Sequence, residues 1–159
     1  MQLSYIFLES PVGQLKLVAH ESALVAVLWE NENPNRVRLA TLVHDIEHPI
    51  LQATAQQLNE YFAGQRKQFD LPLDFAGTPF QQKVWQALLS IPYGETRSYK
   101  QIAEQIGNVK AVRAVGAANG KNPISIIAPC HRVVGSTGKL VGFAGGLGNK
   151  DILLKLEAL

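Results

Sequence analysis

The stretch SYKQIAEQIGNVKAVRAVGAANGK, residues 98–121, decides the reading of the fold. Ser98 followed three residues later by Gln101 has the form of a capping box, so a short helix starts there and carries Ile102, Ala103 and Ile106. Gly107-Asn108 turns the chain. A further helix is predicted from about Lys110 to Asn119. Two short helices around a tight Gly-containing turn make a helix-turn-helix. The second of these helices is thin, because Ala111, Ala114, Gly116, Ala117 and Ala118 give it almost no side-chain bulk. Arg113, Ala117 and Lys121 fall on one stripe at i, i+4, i+8. Such a helix either packs closely against another helix or enters a narrow DNA groove with Arg113 as its one long probe.

Upstream, Thr78-Pro79-Phe80-Gln81 repeats the helix-start pattern, with Thr78 as N-cap, Pro79 at the first helical position and Gln81 closing the box. Phe80, Val84, Trp85, Leu88 and Leu89 then make one apolar face, and Ile91-Pro92-Tyr93-Gly94 ends the helix in a turn. Before Asp74–Thr78 the character differs. Leu3–Leu8, Gln14–Ala19 and Leu24–Trp29 are short apolar or alternating runs broken by Pro11-Val12-Gly13 and His20-Glu21-Ser22, as in an antiparallel meander. A helix is predicted from Pro49 to Ala63, with Ile50, Ala53, Leu58, Tyr61 and Phe62 at apolar spacing, Gln57 out of place and Gly64 as the cap. Phe69, Leu71, Leu73 and Phe75 alternate as an extended segment. This gives an α+β chain of two parts, a scaffold over residues 1–75 and a helix-turn-helix part over residues 76–159.

The 159 residues are enough for two small domains with real cores. An apolar fraction of 47% against 18% charged residues excludes a disordered chain. No apolar run approaches the length that crosses a bilayer, and the opening MQLSYIFLESPVGQ has neither a basic leader nor a cleavage site, so a cytoplasmic protein without membrane contact is expected. One cysteine excludes an internal disulfide and a cysteine-cluster zinc site. The net charge of +2 hides an asymmetry: residues 1–75 carry 5 Lys/Arg against 9 Asp/Glu, and residues 76–159 carry 10 against 4. A basic second half is the footprint of nucleic-acid binding.

Residues 122–134 read Asn-Pro-Ile-Ser-Ile-Ile-Ala-Pro-Cys-His-Arg-Val-Val. This resembles the active-site signature of the O6-alkylguanine-DNA alkyltransferase family, whose core is Pro-Cys-His-Arg-Val. Gly77–Gln81, Val84-Trp85, Ile91–Thr96, Ser98-Tyr99, Arg113–Ala118 and Gly142–Leu147 resemble further family segments. The likeness runs in continuous order over about residues 77–157. It implies an RNase H-like N-terminal domain followed by a winged helix-turn-helix domain. It also implies an irreversible reaction in which one alkyl group passes from O6-alkylguanine in duplex DNA, with O4-alkylthymine as a second candidate, to Cys130. A monomer using neither metal nor cofactor is expected.

The chemistry fits those residues. Dealkylation is an SN2 attack at carbon, which a thiolate performs and a neutral thiol performs poorly. A free thiol of pKa about 8.5 is only a few per cent ionised at pH 7, so a base or a positive field is needed. Side chains adjacent on a strand point to opposite faces, so Cys130 and His131 must lie in a turn or helical start to cooperate. By resemblance, His131 acts through a water and Glu157, 27 residues after the cysteine, orients it, at the end of a helix Asn149–Ala158 whose Ile152, Leu153 and Leu156 face the core. Nucleophile, base and orienting carboxylate follow the logic of a triad.

The resemblance implies further roles. Tyr99 donates to the base at N3, and Asn122 braces the active-site loop. Backbone groups of Cys130, Val133 and Ala144 read the guanine edge, with Phe143 as an apolar wall. Arg113 fills the gap left by an extruded base, while Ala114, Ala117, Ala118 and Lys121 lie along the DNA. The glycines of 135–146 suit close backbone approach. Ser125 stands where the family often has proline, which leaves the size of the accepted adduct open.

Three other functions share parts of this pattern. An alkyltransferase-like protein that binds the lesion without transfer lacks the reactive cysteine, so Cys130 argues against it. A transcription regulator would carry several long polar side chains on its recognition helix. A cysteine hydrolase would draw its base from afar, and His20, His44 and His48 have no supporting motif.

Overall fold

The computed structural model describes residues 2–136 and 143–158. The chain forms two compact units, Met1–Phe75 and Ala76–Leu159. In the first, strands β1 (Leu3–Ser10), β2 (Gly13–Ala19) and β3 (Leu24–Leu28) form the expected antiparallel meander. The β1–β2 turn closes with Ser10 opposite Gly13, and Gly13 has φ 94°, a conformation glycine adopts without penalty. A short fourth strand, β4 (Leu42–His44), joins β1 in parallel and gives the order β3-β2-β1-β4. The 69–75 segment is extended as expected and touches the sheet at one point, where Leu73 bridges to Leu24.

Helix α1 (Pro49–Phe62) packs on β1 and β2. Its buried stripe is Leu51, Thr54, Leu58 and Tyr61, rotated from the expected Ile50, Ala53 and Gln57 line. Gln57 therefore sits beside the core, where its amide exchanges two hydrogen bonds with the Asp70 backbone at 2.9 and 3.0 Å. His48 caps the helix by accepting from Ile50 N, and the chain leaves it through Gly64 at φ 74°.

In the second unit, α2 (Pro79–Leu89) and α3 (Tyr99–Gln105) both start in complete capping boxes, Thr78 with Gln81 and Ser98 with Gln101. Val84, Trp85, Ala87 and Leu88 are buried on α2, whereas Leu89 is 39% exposed and falls outside the expected face. A turn leads from α3 to α4 (Val112–Gly120), which completes the helix-turn-helix. A two-stranded parallel sheet pairs β5 (Arg97–Ser98) with β6 (Val133–Val134). The last helix, α5 (Leu147–Glu157), departs from its apolar reading. Leu153 is buried but Ile152 is 41% exposed, and the inward positions are Lys150, Leu153 and Glu157. Two charged residues are thus drawn inside, and their partners lie in the site.

Candidate active site

Helix α4 is held from behind. The Trp85 indole Nε1 on α2 donates to the Ala118 carbonyl at 2.8 Å, and Val115, Ala118 and Asn119 are buried. Gly77 makes room for that indole, since a Cβ there would come within 2.5 Å of the ring. The other face of α4 carries Arg113, Ala114 and Ala117, all exposed, and continues to Lys121. Ala118, expected along the DNA with them, faces the interior, because its position one turn beyond Val115 belongs to the buried stripe.

After α4 the chain makes two unusually tight bends. Asn122, fully buried, braces them: its amide donates to the Ala128 carbonyl at 2.8 Å and its oxygen accepts from Ile124 N at 3.0 Å. Ile127 N donates to Ser125 O two residues back, and the residue between, Ile126, has φ 72°. That is a γ-turn of the strained hand, at a β-branched residue. Cys130 N donates to Ala128 O in the same i+2 pattern around Pro129, whose φ of −80° and ψ of 68° are those of an inverse γ-turn. The second bend delivers Cys130 to the start of a 3-10 helix, Cys130–Arg132, which brings sulfur and imidazole out of strand alternation. The Cys130 residue is 4% exposed.

Behind the cysteine lies a buried charge cluster. His131 Nε2 sits 2.7 Å from Glu157 Oε2. Arg132 grips the same carboxylate side-on through one edge of its guanidinium, Nε to Oε1 at 2.7 Å and its second terminal nitrogen to Oε2 at 3.1 Å. Its remaining terminal nitrogen donates to the Ile91 carbonyl at 2.7 Å. Gly94, in the turn after α2, has φ 80° and lies so close that a Cβ there would be 3.2 Å from the Glu157 carbonyl. Burial pulls the His131 imidazole below its ordinary value, against the pull of Glu157. The ring is therefore neutral near pH 7. With Nε2 donating to Glu157, Nδ1 is left as the acceptor, and it is buried with no hydrogen-bond partner among the described residues. A neutral imidazole with a bare, buried acceptor nitrogen is equipped to take a proton.

Tyr99 opens α3, and its ring lies against Gly116 of α4. Burial, and then the charge of Cys130, push its hydroxyl above the usual range, so it stays a proton donor. Lys150 is wholly buried and donates to the Val133 carbonyl at 2.6 Å, with its ammonium 5.7 Å from the centre of the Phe143 ring. Burial lowers its pKa while the neighbouring Cys130 sulfur opposes the fall. Phe143 and Ala144 are half-buried. Gly138 and Gly142 of the expected glycine-rich loop lie outside the described residues.

The structure thus gathers His131 and Glu157 in one hydrogen bond, brings Tyr99 and Lys150 within electrostatic reach of Cys130, and puts Arg113, Ala114, Ala117 and Lys121 on an exposed face. Two residues escaped the reading of the sequence. Arg132 stood inside the signature, but nothing marked it as the second partner of Glu157. Lys150 was hidden by the assumption that the inner face of α5 is apolar. No cluster of His, Cys, Asp and Glu fit to hold a metal occurs among the described residues.

Known proteins carry the same two halves. Residues 3–75 match the family model for the ribonuclease-like domain of 6-O-methylguanine DNA methyltransferase, and residues 79–159 match the model for its DNA-binding domain. A methylated-DNA–protein-cysteine methyltransferase of Mycobacterium bovis is 50% identical over 158 residues, 98% of this chain and 92% of the relative. A constitutive one of Bacillus subtilis is 47% identical over 159 residues, 98% and 95% of the two chains. The crystal structure of the Mycobacterium tuberculosis O6-methylguanine methyltransferase superimposes with a TM-score of 0.88 at 49% identity, covering 99% of this chain and 93% of that one. A structure of the M. tuberculosis protein in complex with DNA gives 0.87 at 48% identity over the same shares. With both domain models matched in order and relatives near half identity over almost its full length, the chain belongs to the 6-O-methylguanine DNA methyltransferase family.

Proposed function

We propose that this protein repairs DNA by direct reversal, taking the alkyl group of O6-alkylguanine onto the Cys130 sulfur, once per molecule. The observation that carries the reading is a buried thiol followed directly in the chain by a neutral, carboxylate-anchored imidazole, in a chain whose relatives are methylated-DNA–protein-cysteine methyltransferases. The thiol proton passes to His131 Nδ1 through a water, and Glu157 stabilises the imidazolium that forms. The thiolate attacks the alkyl carbon in line, an S–C bond forms, and the C–O6 bond breaks with its electron pair going to guanine. Tyr99 donates to N3 and offsets the charge that develops on the base. Asn122 holds the loop, while Val133, Ala144 and Phe143 line the pocket.

The lesion lies inside a duplex and is extruded. The exposed face of α4 enters the minor groove, where Ala114 and Ala117 allow close approach, Lys121 neutralises phosphate and Arg113 fills the space the base leaves. Residues 76–159 hold the chemistry and residues 1–75 serve as scaffold. No helix among the described residues is long and apolar enough to cross a membrane. We read the protein as a cytoplasmic monomer.

Mass spectrometry of the intact protein after exposure to an O6-methylguanine oligonucleotide tests the reading. One methyl mass on Cys130 at unit stoichiometry, abolished in Cys130→Ala with DNA binding retained, is expected. Sustained turnover, or methylation elsewhere, overturns it.

A further inference from the structure

The turn Ile91-Pro92-Tyr93-Gly94 ends α2, yet three of its residues touch the charge cluster behind the cysteine. The Ile91 carbonyl accepts from Arg132 at 2.7 Å. The guanidinium carbon of Arg132 lies over the Tyr93 ring, 5.7 Å from its centre. Gly94 fits against the Glu157 carbonyl at a distance that a side chain would crowd. Within the cluster, Glu157 Oε2 has two partners, His131 Nε2 at 2.7 Å and Arg132 at 3.1 Å. A guanidinium that moves therefore turns the carboxylate, and the carboxylate turns the imidazole.

An aromatic ring suits this place. A guanidinium donates its hydrogen bonds in its own plane and offers weakly hydrated faces that stack on aromatic rings. All three nitrogens of Arg132 are engaged by Glu157 and Ile91. The π face of a ring then attracts the cation lying over it. Tyr93 is half-buried whereas Arg132, Glu157 and His131 are buried, so the ring is the part of this contact that meets solvent. Burial, and next the charge of Glu157, hold its hydroxyl above the usual range, which keeps the ring neutral.

We propose that Tyr93 is a positioning residue: its ring covers the Arg132 guanidinium, keeps water from the Arg132–Glu157 pair, and so holds the His131 imidazole neutral and in place to accept the cysteine proton. This rests on the base role of His131 argued above, and extends it to the turn after α2. His131 is faced by Glu157 and Lys150 from α5, and by Arg132 and Cys130 beside it in the chain. Burial is the strongest influence keeping it neutral, ahead of Glu157, which favours the imidazolium, and of Arg132 and Lys150, which oppose it. Without the ring, water reaches the cluster and the imidazole takes its proton at higher pH.

The test uses the full-length protein and two readouts: NMR titration of the His131 imidazole before alkylation, and the pH dependence of single-turnover methyl transfer from an O6-methylguanine duplex. Wild type, Tyr93→Ala and Tyr93→Phe are compared, with melting curves as a folding control. Tyr93→Leu, which keeps bulk but has no π face, replaces Tyr93→Ala should the latter not fold. In Tyr93→Ala the His131 titration and the acid limb of the rate should both move up by about half a pH unit, the worth of one exposed cation–π contact, with the alkaline plateau within about twofold of wild type. Tyr93→Phe, which keeps the ring, should restore both. A rate loss of equal size at every pH with the His131 titration unmoved, or a Tyr93→Phe variant that behaves as Tyr93→Ala does, overturns the proposal. A wild-type rate indifferent to the protonation of His131 removes its base role instead, and the imidazole titration still decides whether the ring shields the pair.

Discussion

His131 and Glu157 are joined by a 2.7 Å hydrogen bond from which water is shut out, the histidine side chain at 0% exposure and the glutamate at 1%. The carboxylate does not belong to the histidine alone, since Arg132 holds both its oxygens. Changing Glu157 to Gln therefore does two things. It weakens the anchor of the imidazole, and it leaves a buried guanidinium without its counter-charge. Breaking a buried pair by removing one partner costs on the order of 3–5 kcal/mol. Chemical denaturation should show a loss of that order together with slower transfer; a loss below about 1 kcal/mol would mean that the cluster is hydrated in solution.

The lowered pKa of His131 makes stability depend on pH with a definite sign. The folded protein holds the ring neutral, and the unfolded chain binds a proton near 6.5. Between that value and the lower folded one, the unfolded state carries more protons, so this histidine makes unfolding free energy fall as pH falls. The slope approaches about 1.4 kcal/mol per pH unit for one proton. Denaturation midpoints of wild type and His131→Phe, measured from pH 7.5 to 5, should converge as the pH drops. Parallel curves would show that the ring titrates alike in both states.

Lys150 is predicted to serve the cysteine rather than the fold. Its buried ammonium lies close enough to Cys130 for the two charges to interact, and in Lys150→Met an apolar chain of similar length takes its place. Buried charges replaced by apolar groups often leave stability unchanged or higher. Transfer should slow by about tenfold at neutral pH and recover as pH rises, as for a thiol less readily ionised. A rate loss that is constant with pH would assign Lys150 to holding the Val133 carbonyl instead.

Arg113 projects from the exposed face of α4 and has no part in the buried cluster. Arg113→Ala should slow repair of duplex DNA by at least about tenfold, given that unstacking a base costs a few kcal/mol, and leave reaction with free O6-alkylguanine within about twofold. Equal losses on the two substrates would remove its role in holding the base out.

Thr78→Ala deletes one half of the capping box that starts α2. It should cost about 1 kcal/mol of stability, read by denaturation, with the transfer rate of the folded protein unchanged. A change in rate would show that α2 transmits strain to α4 through Trp85.

Local chemistry was the legible part of the fold. Both capping boxes, the Pro49 start and the Gly64 exit were written in adjacent residues, and they lie where the sequence reading put them. What failed was rotational phase. Along α1 the apolar residues are dense enough to fit two stripes, and only the sheet beneath selects Leu51 and Thr54 over Ile50 and Ala53. Strand β4 is three residues long and pairs at a distance of some 40 residues in the chain, so no local periodicity announces it. In the site, the cysteine, histidine and glutamate were read through a signature and a spacing. Arg132 and Lys150 are placed by what faces them, the Glu157 carboxylate and the Val133 carbonyl, and a linear string does not record that.

The bend at Ile126 sets a limit on what the signature can do by itself. A β-branched residue at φ 72° costs on the order of 1–3 kcal/mol, so the segment 122–134 cut free would relax into other shapes. Detached, it would be an ordinary cysteine peptide, with its imidazole hydrated and its sulfur aimed nowhere. The nucleophile is on loan from the surrounding tertiary structure, and a destabilised protein that still displays every residue of the signature would already be chemically silent.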